Sequence, residues 1–272
     1  MAEGIRLSKV IAARGVASRR EAETLIEEGR VTVNSELVSG VVFVTPDDEI
    51  KVDGRPLPPE PPRVYYLLYK PRGYITGRND PEGRKSVLEF VKDLRFRVEP
   101  VGRLDFDTEG ALLLTNDGDL AHQLTHPSRK VPKRYLAKVY RTPSDKTLAA
   151  ISSGVFLEDG RTHPAKVRVT DTTDKTNAWV EVTVTEGRYR LIRRMFAQLG
   201  HPVSKLRRES FGTISLRNME RGQIRELTRP EITRLRELAR GVVPSKAGKK
   251  KGKGFARAKP KRVRPGYKKR KR

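Results

Sequence analysis

The stretch VGRLDFDTEGALLLTNDG at 101–118 places Asp105, Asp107 and Glu109 just ahead of an unbroken apolar run. DFDTEG fits the opening of a calcium loop if Glu109 is tolerated as the third ligand. That loop also needs Glu at its twelfth position, where Asn116 stands after Leu112 to Leu114, so calcium is rejected. An aspartate before a strand either closes a turn or stands free as a nucleophile or base, and residue types alone leave both readings open for Asp105. GRNDPEGRKS at 77–86 has the look of a phosphate loop, but five residues separate its glycines where four are needed, and Arg84 occupies the lysine position. It reads as a basic turn. His122 and His126 have the i, i+4 spacing of a zinc helix, yet Gln123 replaces the required glutamate and no third ligand follows, so no metal site is expected.

The elements that must position these residues follow from periodicity. Leu7, Val10 and Ile11 form one helical stripe ended by Gly15; Ser18 and Glu21 make a capping-box signature for a second, with Ala22, Leu25 and Ile26 as its apolar face and Gly29 as its stop. Strand-like VTVN, VVFV and EIKV follow between 31 and 52, and PLPPEPPR at 56–63 is a stiff, proline-rich connection. Beyond it, strand-like YYLLY, ALLLT, YLAKVY, AKVRV and AWVEVTV mix with the helical spacings of SVLEFVKDL, DLAHQL, SDKTLAAI, RLIRRMFAQL and PEITRLREL. Strands and helices without strict βαβ alternation predict an α+β fold. The expected division is a small module over 5–57, a linker over 58–63, a larger domain with a mainly antiparallel sheet flanked by helices over 64–240, and a disordered basic tail over 241–272.

Composition points to a polyanion. The 272 residues have a net charge of +25 and a pI near 10.5. The segment 246–272 holds 15 Lys or Arg and no acid; without it 43 basic residues face 33 acidic ones, so the body remains at +10. A basic body argues for nucleic acid over a merely solubilising tail, and the tail has no amphipathic period for a membrane surface. The absence of cysteine excludes disulfides, thiolate metal sites and a cysteine nucleophile, and no run approaches a membrane span or a signal segment. A cytoplasmic protein is expected.

Arg6, Lys9, Arg14, Arg19, Arg20 and Arg30 crowd the two short N-terminal helices, where phosphate contact is the natural use for them. The run L-x-K-V-I-A-x-x-G-x-x-S-R-R-E-A-E-x-L-I-x-x-G-R-V-x-V-N at 7–34 resembles the small RNA-binding module shared with a small-subunit ribosomal protein. The resemblance implies a grip on the backbone of structured RNA, not a reading of its sequence.

G-R-L-D-x-x-T-E-G-x-L-L-L-T-N-D-G, together with YYLLYKPRGYITGRNDPEGR at 65–84, HPSRKVPKRYLAKV at 126–139 and EGRYRLIRRMF at 186–196, resembles the RsuA/RluB-type ribosomal RNA pseudouridine synthases, nearest to their large-subunit, RluB-like branch. The resemblance spans residues 5 to about 240. It implies isomerisation of a uridine, through Asp105 as the single essential acid and with no cofactor, since no electron or group leaves the substrate. Arg103 would hold RNA or fill the space of the extruded base, Tyr135 would stack on the uracil, and Arg193 would pair with Asp105. Relatives often have Gln where Leu191 stands. From the residues alone, Tyr135 reads more readily as a core aromatic, while Arg193 could belong to a solvated helix face and Arg103 could neutralise Asp107 or Glu109; those two acids read as structural groups that satisfy loop amides. The implied partner is large-subunit rRNA, free or in a pre-ribosomal particle, bound by a monomer. The competing reading is a non-catalytic rRNA-binding assembly factor, which would have no need of Asp105, Tyr135 and Arg193 together.

Overall fold

Ser18 and Glu21 start the second helix as their spacing predicts: the Glu21 amide donates to Ser18 Oγ at 3.2 Å and the Ser18 amide to Glu21 Oε2 at 2.7 Å. The computed structural model describes residues 4–78, 80–174 and 176–242. In the N-terminal module a short pair, β1 (Ile5–Arg6) with β4 (Phe43–Val44), flanks α1 (Leu7–Ala13) and α2 (Arg19–Glu27). β2 (Val31–Val33), β3 (Glu36–Leu37), β5 (Ile50–Val52) and β6 (Arg55–Pro56) form an antiparallel sheet in the order β3-β2-β5-β6. Leu7, Ile11, Ala22, Ile26, Val31 and Val44 close its own small core, each full-sized side chain stabilising by about 1.5–3 kcal/mol relative to exposure.

After the extended segment from Pro58 the chain enters β7 (Tyr65–Lys70), β8 (Glu99–Pro100), β9 (Glu109–Thr115) and α3 (Gly118–Thr125). It continues through β10 (Lys133–Tyr140), α4 (Asp145–Ser153), β11 (Phe156–Leu157), β12 (Gly160–Arg161), β13 (Lys166–Asp174) and β14 (Asn177–Val184). It ends with α5 (Leu191–Gln198), β15 (Val203–Phe211), β16 (Ile214–Ser215), β17 (Ile224–Glu226) and α6 (Arg229–Ala239). The described residues form a nine-stranded sheet in the order β13-β14-β10-β15-β9-β7-β17, with β16 beside β15 and β8 beside β9. This is the expected α+β fold. Its pairings are antiparallel except at the centre, where β15 and β9 run parallel.

β9 is buried on both faces, which explains its continuous apolar run. Ala111 and Leu113 pack under α3 and α6, whereas Leu112 and Leu114 face Val87, Val98 and Leu104. The other half of the sheet is covered on one side: Ala137, Val139, Val180 and Val182 meet Ile151 of α4 and Ile192, Met195 and Phe196 of α5.

Three local expectations change. SVLEFVKDL forms only a 3-10 turn over Val87–Val91, because Ser86 caps Leu88 N at 3.2 Å and Val87 and Val91 turn inward against β9. β15 has no clear sequence signal because an arginine, Arg208, occupies one of its inward positions beside Leu206. The β11–β12 hairpin and β17 are too short for a periodic pattern. The basic tail, from residue 243 onward, lies outside the described residues.

The parallel seam depends on Gly110. Its φ is +129°, and a Cβ there would stand 2.4 Å from the Arg208 carbonyl oxygen. Backbone on a facing strand cannot yield as a side chain can. Gly110→Ala is therefore expected to destabilise the fold by about 3 kcal/mol or more, measurable as a lower urea midpoint; an unchanged midpoint would show that the seam tolerates separation.

Candidate active site

Asp105 sits in the loop between β8 and β9, and that loop is held through its backbone. Lys70, at the inner end of β7, is fully buried, and its Nζ donates to the carbonyls of Thr108 at 2.8 Å, Asp105 at 3.0 Å and Pro71 at 3.1 Å. Thr76 Oγ1 donates to the Leu104 carbonyl at 2.6 Å, the Gly73 amide to the Phe106 carbonyl at 2.9 Å, and the Thr108 amide to the Asp105 carbonyl at 3.0 Å. With its main chain fixed in this way, the Asp105 carboxylate is left half-buried on the wall of a cleft of about 420 Å³. Burial pulls Lys70 down to about 8, opposed by the negative field of Asp105 and Asp107.

The cleft also receives Arg103, Tyr135, Arg190 and Tyr189. Tyr135 lies on β10 at a register shift against β15, between Arg134 and Tyr135, and is half-buried. Such a bulge re-aims a side chain. Its ring packs against two core clusters and its hydroxyl has no protein partner among the described residues. Arg103 is exposed at the edge of the cleft and makes no ion pair among the described residues.

The expected pairing of Arg193 with Asp105 is replaced by another. Arg193 Nη2 reaches Asp107 Oδ2 at 2.9 Å and the Asp107 carbonyl at 3.3 Å, while Nη1 donates to the Val203 carbonyl at 2.9 Å. The cation beside Asp105 is Arg190, at 4.0 Å, which also meets Asp107 at 3.3 Å. The cause is local: Arg190 precedes α5 with φ of +45°, a left-handed conformation that turns its guanidinium back over the loop. Asp107 thus organises two arginines. Glu109 is taken by Arg221 at 2.8 Å. Neither acid serves loop amides as expected, and Arg103 neutralises neither. Leu191 is buried with Ile192 and Met195 and lines the cleft with an apolar wall.

Among the six basic residues of the N-terminal module, Arg30 is committed to Asp53 through two hydrogen bonds of 2.8 Å. Lys9 pairs with Asp119 at 2.8 Å, Arg6 is 4.0 Å from Glu23, and Arg14 donates to the Pro58 carbonyl at 2.9 Å. Arg19 and Arg20 are exposed without ion pairs among the described residues. Phosphate contact therefore has its freest donors at the start of α2. Among the described residues no group of three or more His, Cys, Asp and Glu could hold a metal ion, and His126 shares a hydrogen bond of 2.7 Å with Ser128.

Residues 64–198 match the model of the RNA pseudouridylate synthase family and residues 5–50 that of the S4 domain. Ribosomal large subunit pseudouridine synthase B of Bacillus subtilis is 48% identical over 86% of this chain and 96% of its own length. The chain belongs to the RNA pseudouridylate synthase family. Its counterpart of the same name in Escherichia coli K12 is 41% identical over 86% of this chain and 82% of its own length. A crystal structure of a pseudouridylate synthase superposes with a TM-score of 0.61 at 34% identity, covering 85% of this chain and 99% of the other. The synthase is therefore an isomerase acting on RNA, with an N-terminal RNA-binding S4 domain. Among its described residues no helix is long and apolar enough to cross a membrane.

Lys70 escaped the sequence reading, although a lysine ending the apolar strand YYLLYK is a signal: a charge there must be buried and paired. Lys70→Met keeps the bulk and removes the ammonium from three carbonyls, of which that of Asp105 keeps a further donor, the Thr108 amide. The synthase should lose roughly 1–3 kcal/mol of stability for each carbonyl that finds no other partner and turn over more slowly at unchanged RNA affinity. Urea unfolding with filter binding checks this, and a variant as stable and active as wild type would remove Lys70 from its positioning role.

Proposed function

We propose that the synthase converts a specific uridine of large-subunit ribosomal RNA to pseudouridine, with Asp105 as the catalytic carboxylate. The observation behind this reading is the meeting of Asp105 and Tyr135 in one cleft large enough for a nucleobase, in a chain similar over most of its length to two large-subunit synthases. The target nucleotide leaves the RNA stack to reach Asp105, and the Tyr135 ring offsets part of the unstacking cost. Arg103, exposed at the rim, holds the RNA backbone or fills the vacated space. Arg193 acts through Asp107, keeping α5 against the loop, and Arg190 is the cation closest to the reacting carboxylate.

Arg6, Lys9, Arg14, Arg19, Arg20 and Arg30 surround the first two helices, and of these Arg19 and Arg20 are the residues most open to phosphate. One chain supplies every site residue, in keeping with a monomer that acts in the cytoplasm on free rRNA or on an assembling particle. A purely RNA-binding assembly role has no use for a carboxylate set in a base-sized cleft.

The test is pseudouridine mapping on unmodified large-subunit rRNA, as a naked transcript and in precursor particles. Asp105→Asn keeps size and shape but removes the charge and the nucleophile, so product should vanish while RNA affinity stays within a few-fold, since binding rests on the basic surfaces. Asp107→Asn should be less stable, because Arg193 loses its carboxylate, yet keep measurable turnover. Near-normal product from Asp105→Asn would rule out the assigned role; absence of product from wild type on both substrates would rule out the substrate.

A further inference from the structure

Two cations line the cleft without a carboxylate partner. Arg208 is 2% exposed; its Nε donates to the Ala111 carbonyl at 2.7 Å, its Nη1 is 3.5 Å from the Arg103 carbonyl, and its Nη2 is buried with no hydrogen-bond partner. Lys133 is half-buried beside it, and its Nζ donates to the Val131 carbonyl at 3.1 Å. Both lie over the ring of Phe211, at 5.2 Å for the guanidinium and 5.7 Å for the ammonium. The nearest acid on this side, Glu186, is already taken: its carboxylate accepts from Arg188 Nε at 3.0 Å and from the His163 amide at 2.8 Å. Asp105, on another part of the cleft wall, has Arg190 at 4.0 Å.

A buried charge without a counterion is costly, so proteins seldom keep one for stability. Two together form a site of positive potential that lacks an anion. The cations of the S4 surface meet phosphates in solvent, but these two sit where the base is processed. Burial, together with the neighbouring Arg208, holds Lys133 down at about 8, with Glu186 acting in the opposite sense.

Uridine isomerisation loads negative charge onto the base ring. When the N1–C1′ bond breaks, its electron pair stays with the ring and spreads over O2 and O4. When C5 then bonds to C1′, that charge returns to the new bond, the C5 proton departs and N1 takes up a proton, so nothing is gained or lost overall. If the carboxylate adds to the ring instead, the electrons again move to a ring carbonyl oxygen. Each route places negative charge on a ring carbonyl oxygen, where a nearby cation stabilises it.

We propose that Lys133, backed by Arg208, is the charge-stabilising group of the reaction, with its ammonium against a carbonyl oxygen of the extruded uracil. The assignment rests on the rRNA synthase reading above. It makes the potential of these two cations a device for binding the transition state better than the substrate, as fixed donors aimed at developing charge do elsewhere.

The test uses the full-length protein and an unmodified large-subunit rRNA transcript under single-turnover conditions between pH 7 and 9. Lys133→Gln should slow the chemical step about 100-fold with RNA affinity within about threefold. Lys133→Arg cannot lose its proton in this range; it should recover much of the rate and lack the decline expected of wild type above pH about 8.

Thermal melting supplies a second readout. In wild type the folded state sheds the Lys133 proton near 8 while the unfolded chain holds it to about 10.5, so stability rises with pH across that interval. The melting temperature of Lys133→Gln relative to wild type should therefore fall as pH rises from 8 towards 10. If Lys133→Gln reacts within threefold of wild type, or Lys133→Arg keeps the alkaline decline, Lys133 does not stabilise the ring. A wild type that forms no product overturns the substrate reading and this inference with it, whereas an active wild type with an equally active Lys133→Gln overturns this inference alone.

Discussion

The hydrogen bonds from one buried ammonium, Lys70, to the carbonyls of Pro71, Asp105 and Thr108 tie the end of β7 to the loop that presents Asp105. The bonds from Thr76 to Leu104 and from Gly73 to Phe106 hold the same loop from outside. Charge-assisted donation is stronger than a neutral hydrogen bond, and here one fully buried donor group serves three acceptors. The carboxylate is consequently displayed from a fixed main chain while its side chain stays open to the cleft. Geometry of that kind is what a reaction at a single carboxylate requires.

The opposite treatment of cations around the cleft divides them by task. Lys70 is saturated with acceptors and lies in the field of three acids. Arg193 is held by Asp107 on one side and the Val203 carbonyl on the other, its buried Nε alone lacking a partner. Lys133 and Arg208 have no carboxylate, and they share an aromatic face instead. Cations paired with the loop or its acids hold parts of the protein in place; the two without a carboxylate leave their positive potential open to the cleft.

The S4 domain is a separate small core joined to the catalytic domain by an extended chain and by exposed pairs, Lys9 with Asp119 and Arg97 with Glu21. Pairs so exposed contribute about 0–1 kcal/mol. They orient the domain with little energy of their own, and the cations left open on α2, Arg19 and Arg20, point to RNA as the partner that completes the arrangement.

The amino-acid sequence by itself determined what is contiguous. The capping box of α2, the apolar strand β9 buried on both faces, and the placement of Asp105 at the mouth of that strand are written in runs of neighbouring residues, because capping, alternation and turn chemistry act over a few positions. Tertiary structure alone decided which charges meet. Arg190, not Arg193, stands beside Asp105 because a left-handed residue at the start of α5 redirects it, and Asp107 and Glu109 face arginines 83 and 112 positions away rather than loop amides. β15 hid for the same reason: Arg208 looks like a surface residue until the parallel seam at Gly110 encloses it. Pairings between distant side chains depend on register and on backbone angles at single residues, and neither leaves a periodic trace in the chain.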